Sequence, residues 1–139
     1  MQVKDIMTTP QYLKDNVTIR EAALTMRNNG TGFEPLTNAK KVTGVITDRD
    51  IAVRAVAESK SPDDKASSIA TERVLYTYQD EGIETVVQNM VEQQVQRLLV
   101  LNDRENKDLV GIVTLGDIAN HCDDPKLAQK IVNASRTYH

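Results

Sequence analysis

The sequence repeats itself, and this internal repeat limits the possible folds more than any single motif does. Residues 18–30 and 82–94 each place apolar residues at the i, i+3, i+4 and i+7 spacings of one helix face. These apolar positions are Ile19, Ala22, Ala23 and Met26 in the first copy, and Ile83, Val86, Val87 and Met90 in the second. A repeat of this kind predicts two copies of one structural unit.

A second pair of matching segments follows the helices. GVITDRDI at residues 44–51 corresponds to GIVTLGDI at residues 111–118, and the polar stretch 102–108 accommodates the extra residues of the second copy. Each copy begins with a short leading segment, 3–8 or 66–71, and then predicts the order strand, helix, strand, strand, helix. The predicted strands are residues 11–13, 35–37 and 42–46 in the first copy, and 74–77, 97–101 and 109–113 in the second.

These elements predict an α+β fold with four consecutive segments. We expect the first repeat at residues 1–58, a linker at 59–68, the second repeat at 69–122, and a C-terminal helix and tail at 123–139. The last helix pattern places Leu127, Ala128, Ile131 and Val132 on one side. A repeat of about 60 residues buries too little surface to fold alone with confidence, so the two repeats are expected to pack sheet against sheet.

The composition of the chain argues against several classes of function. The chain has 139 residues, with 17 Lys and Arg against 20 Asp and Glu, and its net charge of −3 argues against nucleic-acid binding. No apolar run is long enough to span a bilayer, and no secretion signal opens the chain. The single cysteine, Cys122, forms no internal disulfide, and His121 and His139 lie outside any metal-ligand spacing. We therefore expect a cytoplasmic protein without a metal or cofactor.

The matching segments carry the motif that could bear chemistry. Each is a β-branched strand that ends in Thr and has Asp three residues later, at Thr47 and Asp50 and at Thr114 and Asp117. This spacing is a capping box, in which the Thr hydroxyl and the Asp carboxylate satisfy the first turn of a helix. The same geometry suits a ligand, because a helix start attracts phosphate and a carboxylate accepts both hydroxyls of a ribose. One copy alone favours the capping interpretation, and the second copy raises the odds of a ligand-binding role.

Three arginines and one cysteine are further candidates for functional roles. Arg97 at a strand start is either a bidentate phosphate ligand or a solvated surface group. Arg49 and Arg54 are predicted to be surface helix residues. Cys122 stands beside His121, but adjacent residues diverge on a helix and no third orienting group is apparent, so no nucleophilic site is predicted.

The order of these segments resembles the tandem cystathionine β-synthase (CBS) domain pair, also called a Bateman module. The resemblance spans residues 2 to about 122 and rests on VKDIMT at 3–8, the two apolar helices, Pro35, RLLV at 97–100, and the two Thr-x-x-Asp segments. It implies two βαββα repeats related by a pseudo-twofold axis, which commonly dimerise into a four-repeat disc. It also implies clefts that bind adenosine-containing ligands: AMP, ADP, ATP, S-adenosylmethionine, NAD-type cofactors or cyclic di-AMP.

The resemblance assigns ligand roles to matching positions, with Thr facing phosphate or ribose and Asp holding the ribose hydroxyls. One cleft would use Thr47, Asp48 and Asp50, with Val45, Arg97 and the chain near Val74 and Leu75. The other would use Thr114 and Asp117, with Met7, Thr8, Ile112 and the start of the second strand of repeat 1. The chain departs from the family pattern at Phe33 and Glu34 before Pro35, and at Leu99 in place of Pro. Because Glu34 would place a carboxylate near the second cleft, we expect the first cleft to bind phosphate-bearing ligands more tightly.

These observations predict a non-catalytic sensor module that binds an adenosine-type nucleotide, forms a homodimer and signals to a separate, unidentified effector protein. The second helix of each copy has more apolar surface than one buried face requires, which favours the homodimer. Two alternatives remain open: a structural dimerisation module whose Thr-x-x-Asp boxes only cap helices, and an enzyme that acts on a bound nucleotide.

Overall fold

The computed structural model describes residues 1–136, and it contains two three-stranded sheets with the same strand order. The chain forms two compact units: Pro10–Val74, and Met1–Thr9 together with the chain from Leu75 onward. His139 and the end of the predicted tail lie outside the described residues. The predicted α+β class and the twofold repeat of the architecture are confirmed.

The first unit holds β1 (Leu13–Lys14), α1 (Ile19–Asn29), β2 (Phe33–Asn38) and β3 (Lys41–Thr47). β1 pairs parallel with β2, and β2 pairs antiparallel with β3. The short helix α2 (Asp48–Asp50) follows β3 and continues as a π-helix over Ile51–Val56. We call this the β1–β3 unit.

The second unit repeats this order. It holds β4 (Tyr76–Tyr78), α3 (Ile83–Gln93), β5 (Arg97–Leu101), β6 (Leu109–Thr114) and α4 (Leu115–Ala119). β4 pairs parallel with β5 and β5 antiparallel with β6, as in the first sheet. A last helix, α5 (Pro125–Ser135), packs against α3 and α4. We call this the β4–β6 unit.

The first helix of each repeat, α1 or α3, begins at a residue suited to an N-cap and ends at a residue in the left-handed conformation. Thr18 and Glu21 form a complete capping box at the start of α1, and Gly30 ends the helix at a φ of 65°. Gly82 precedes α3, and Gln94 takes the same left-handed conformation after it at a φ of 57°. The apolar faces predicted for both helices are confirmed: their residues are buried, apart from the half-buried Ala23.

Each unit has its own apolar core, and each core includes a leading segment. Val3 and Ile6 are buried with α3 and β5 in the β4–β6 unit. Ala66 and Ile69, from a short 3₁₀ turn and the residue after it, are buried with α1 and β2 in the β1–β3 unit. The segment before each repeat therefore completes the core of the other repeat: Val3 and Ile6 that of the second, and Ala66 and Ile69 that of the first.

The first strand of each sheet lies slightly later than its pattern indicates. The strands predicted at 11–13 and 74–77 are Leu13–Lys14 and Tyr76–Tyr78. Both pair with only one neighbour at the sheet edge, so few residues define their limits. Within residues 1–136, no helix is both long enough and apolar enough to cross a membrane.

Candidate functional site

The first candidate site lies at the junction between β3 and α2. The Asp50 backbone N–H donates to Thr47 Oγ1 at 3.0 Å, and the Thr47 backbone N–H donates to Asp50 Oδ2 at 3.0 Å. The Asp50 side chain keeps 14% of its surface exposed. The capping box thus uses Oδ2 of the carboxylate and leaves Oδ1 for another donor.

The second candidate site repeats this geometry between β6 and α4. The Asp117 backbone N–H donates to Thr114 Oγ1 at 3.1 Å, and the Thr114 backbone N–H donates to Asp117 Oδ2 at 2.9 Å. Asp117 is half-buried. Both predicted capping boxes therefore exist, and both orient one carboxylate in the same way.

The chain from the linker runs along the outer edge of β3 beside the first site. Val45 and Thr71 exchange two backbone hydrogen bonds, of 2.9 and 2.8 Å. Gly44 allows this approach, since a Cβ there would lie 3.3 Å from the Thr71 carbonyl oxygen and 3.5 Å from the Ala70 Cβ.

The N-terminal segment lies along β6 in the same manner. Thr8 and Ile112 exchange two backbone hydrogen bonds of 2.9 Å, and Thr8 Oγ1 also donates to the Ile112 carbonyl at 3.2 Å. The Met7 side chain covers Gly111, where an added Cβ would overlap the sulfur and lie 2.8 Å from Met7 Cγ. Met7 and Thr8 therefore lie against β6, the strand that contains Ile112 and ends at Thr114.

The residue after each capping threonine differs between the sites. Asp48 is exposed, and its Oδ1 accepts from the Arg49 backbone N–H at 2.8 Å. Its carboxylate covers Gly32, where a Cβ would lie 2.5 Å from Asp48 Oδ2. The corresponding residue of the second site is Leu115, which is buried in the apolar core. At the position after the capping threonine, the first site therefore has a carboxylate and the second has an apolar side chain.

The residues one helical turn after the two aspartates also differ. Arg54 Nη1 lies 3.8 Å from Asp50 Oδ1 and donates to the Ala70 carbonyl at 3.4 Å. Although Arg54 is about half exposed, as a surface helix residue should be, it also contacts the candidate site. His121 follows Asp117 by the same spacing, and its Nδ1 lies 2.9 Å from the Asp117 backbone oxygen.

Two further charged residues were expected at the sites. Arg97 opens β5 and lies directly opposite Thr114 in the register with β6, so it is placed beside the box of its own unit. Its position next to Thr47, in the other unit, stays a prediction. Glu34 is buried, and its Oε1 accepts from Thr31 Oγ1 at 2.5 Å within the β1–β3 unit. Its predicted effect on the Thr114 site likewise remains a prediction.

Sequence reasoning missed Ala70, Thr71 and the site contact of Arg54. The repeat itself contains the signal for the first two, because Ile69, Ala70 and Thr71 follow the 3₁₀ turn of the linker as Ile6, Met7 and Thr8 follow that of the N-terminus. The Asp50 to Arg54 spacing is that of an i, i+4 ion pair. Within the described part of the chain, no group of three His, Cys, Asp or Glu side chains is arranged to hold a metal ion.

Comparison with known proteins identifies this arrangement. The family model for the CBS domain matches residues 3–56 and again residues 66–124. The chain is similar to the CBS domain-containing protein YhcV of Bacillus subtilis (strain 168), with 32% identity over 135 residues that cover 96% of this chain and 94% of YhcV.

Two solved structures share the fold and contain adenosine-type ligands. The CBS domain pair of protein MJ0100, in complex with 5′-methylthioadenosine and S-adenosyl-L-methionine, has a TM-score of 0.76 at 29% identity and covers 87% of this chain and 94% of that one. The CBS domain protein PAE2072 from Pyrobaculum aerophilum, complexed with AMP, has a TM-score of 0.78 at 25% identity, with coverages of 95% and 98%. The chain belongs to the CBS domain family and carries two copies of the domain.

Proposed function

We propose that this chain is a non-catalytic regulatory module that binds an adenosine-containing nucleotide at its two Thr-x-x-Asp sites. One observation carries the proposal: in both units the capping box fixes the aspartate through Oδ2, so that Oδ1 takes no part in the cap. A fixed carboxylate of this kind is preorganised to accept hydroxyl donors without reorganising on binding. Similar CBS pairs hold AMP, or 5′-methylthioadenosine and S-adenosyl-L-methionine.

In this proposal the ribose diol donates to Asp50 in one site and to Asp117 in the other. The hydroxyls of Thr47 and Thr114 face the ribose or the phosphate. Further ligand-binding residues are proposed beside each capping box. Val45 and Asp48 belong to the first site, and Met7, Thr8 and Ile112 belong to the second. Arg97 is the proposed phosphate ligand. The ligand classes considered are AMP, ADP, ATP, S-adenosylmethionine, NAD-type cofactors and cyclic di-AMP.

We further propose that the module forms a homodimer and acts in the cytoplasm on a separate effector protein. The π-helix after α2 supports the homodimer, because Val53 and Val56 are 46% and 72% exposed on it. Light scattering at micromolar concentration should give about twice 15.5 kDa. A monomer across that range would contradict the homodimer and leave nucleotide binding to be tested separately.

A thermal-shift panel followed by calorimetry tests nucleotide binding. Each ligand class is added to the wild type and to the double variant Asp50→Asn/Asp117→Asn, which keeps an oxygen acceptor for both caps. A ligand at about 100 times its Kd should stabilise the wild type by about 2.7 kcal/mol and the double variant much less.

Two other results would overturn the proposal. A dimer that no ligand of the panel stabilises would indicate a structural dimerisation module whose boxes only cap helices. Conversion of a bound nucleotide, followed by chromatography, would indicate an enzyme.

A further inference from the structure

The guanidinium of Arg54 lies beside the carboxylate oxygen that the proposed ligand needs. Arg54 Nη1 lies 3.8 Å from Asp50 Oδ1, whereas Oδ2 of the same carboxylate accepts from the Thr47 backbone N–H. The same nitrogen donates to the Ala70 carbonyl at 3.4 Å. Arg54 therefore connects the site carboxylate to the chain that runs along β3, and a ribose hydroxyl donating to Oδ1 must compete with it.

The carboxylates around this site disfavour a phosphate-bearing ligand unless a cation offsets their charge. Asp48 and Asp50 place two carboxylates within three residues, and a like charge nearby disfavours a bound phosphate. Arg54 contacts one of these carboxylates. One ribose ring carries both the diol and the 5′-phosphate, so a guanidinium beside the diol acceptor can pair with the phosphate when the ligand turns its 5′ end toward it.

The second site has a different neighbour at the corresponding position. His121 Nδ1 lies 2.9 Å from the backbone oxygen of Asp117, so this contact does not involve the Asp117 carboxylate. The residue that corresponds to Asp48 is the buried Leu115. The two sites therefore share the capping geometry and differ in the charged groups next to it.

We propose that Arg54 is a specificity-determining residue that makes the Thr47/Asp50 site prefer phosphorylated over unphosphorylated adenosine ligands. The inference rests on the proposed function. In the free protein the guanidinium pairs with Asp50 Oδ1. A phosphorylated ligand takes Oδ1 with its diol and pairs the displaced guanidinium with its phosphate, which is a strong charge-assisted contact. Adenosine also displaces the Arg54 guanidinium from Asp50, but it has no phosphate with which the guanidinium can pair.

The experiment isolates this site in the full-length Asp117→Asn protein and measures AMP and adenosine binding by calorimetry. Arg54→Gln should weaken AMP binding about tenfold and leave adenosine binding unchanged or tighter, so the affinity ratio falls at least tenfold. Arg54→Lys, which keeps the charge, should recover most of the ratio. The matched control is Arg49→Gln, which makes the same charge change on the same helical segment and should alter the ratio less than about twofold.

The mirror experiment uses the Asp50→Asn protein, in which only the Thr114/Asp117 site remains. His121→Gln should leave the ratio of AMP to adenosine affinity unchanged there. A large change would contradict the assigned difference between the sites.

Failure of this inference is distinguishable from failure of the proposed function. If both ligands bind and Arg54→Gln shifts the ratio no more than Arg49→Gln does, Arg54 has no role in specificity and nucleotide binding stands. If neither ligand binds the wild type, both proposals fall. Melting curves without ligand show that each variant is folded.

Discussion

Thr47 and Asp50 hold each other through two reciprocal hydrogen bonds of 3.0 Å, one in each direction between side chain and backbone. Thr114 and Asp117 do the same at 2.9 and 3.1 Å. Each aspartate thus has a structural role through one oxygen and is available to a ligand through the other. Alanine at this position removes both roles, whereas asparagine keeps the oxygen acceptor of the cap and removes the charge.

Asp50→Ala should lower both stability and nucleotide affinity, whereas Asp50→Asn should lower only affinity. Alanine removes the acceptor of the Thr47 N–H, a capping loss of about 1 kcal/mol, and asparagine keeps an oxygen in that place. Both variants lose the charged acceptor of the ribose hydroxyls, at about 1.5–3 kcal/mol per bond. Urea unfolding measures the first effect and calorimetry with adenosine in the Asp117→Asn protein the second. Wild-type adenosine affinity in Asp50→Asn would show that the carboxylate serves the cap alone.

Gly111→Ala should destabilise the protein by about 1–3 kcal/mol, because the new methyl group displaces the Met7 side chain that covers the glycine. The double variant Gly111→Ala/Met7→Ala removes that overlap. The two substitutions should therefore be coupled by about 1 kcal/mol in a double-mutant cycle of unfolding free energies. Simple additivity would indicate that the N-terminal segment does not lie on β6.

Ala134→Leu should destabilise the protein by about 1–3 kcal/mol, since Ala134 is fully buried in the core of the β4–β6 unit. The same substitution at the exposed Ala128, on the same helix, should change stability by less than about 0.5 kcal/mol. Urea unfolding of both variants makes the comparison. Equal effects would show that α5 does not pack against this core.

Arg97→Ala should weaken AMP binding about tenfold and adenosine binding much less, because a guanidinium forms a charge-assisted pair with phosphate. Since Arg97 lies opposite Thr114 in the sheet register, we expect the loss in the Asp50→Asn protein, where the Thr114/Asp117 site remains. A loss confined to the Asp117→Asn protein would instead place Arg97 at the Thr47/Asp50 site, as the family resemblance implies.

Glu34→Gln tests the effect of the Glu34 charge, as Arg97→Ala tests that of the Arg97 charge. Glutamine keeps an acceptor for Thr31 Oγ1 and removes the charge. It should strengthen AMP binding more than adenosine binding if the carboxylate faces the ligand phosphate. Equal responses of both ligands to the Arg97 and Glu34 substitutions would show that neither charge faces the phosphate.

The sequence predicts the elements that have strong periodicity or a defined cap. Both repeat helices, both capping boxes and the bounds of β5 agree with the structure, because each is determined by residues close together in the chain. The C-terminal helix is also found, although only part of its predicted apolar side is covered: Leu127 and Ile131 pack on the core while Ala128 and Val132 are exposed.

The features that the sequence predicts poorly depend on partners distant in the chain. β1 has two residues and one neighbour, so no alternation marks its limits. The continuation of α2 as a π-helix follows from no residue pattern that we identified. The role of Arg54 depends on the Ala70 carbonyl, sixteen residues away and just after the predicted linker, which only the folded chain brings near.

The pairing of the N-terminal segment with β6 determines the order in which the chain can assemble. The β1–β3 unit is one uninterrupted stretch, whereas the β4–β6 unit is closed by Met1–Thr9. Thr8 meets Ile112, a partner 104 positions away. Contacts of such high sequence separation form slowly, since the chain loses loop entropy before it gains them. During synthesis every residue of the β1–β3 unit is made before Ile112, so contacts within that unit can form while the other unit is still open. Met1–Thr9 can therefore reach its place on β6 only after the whole intervening unit has been made.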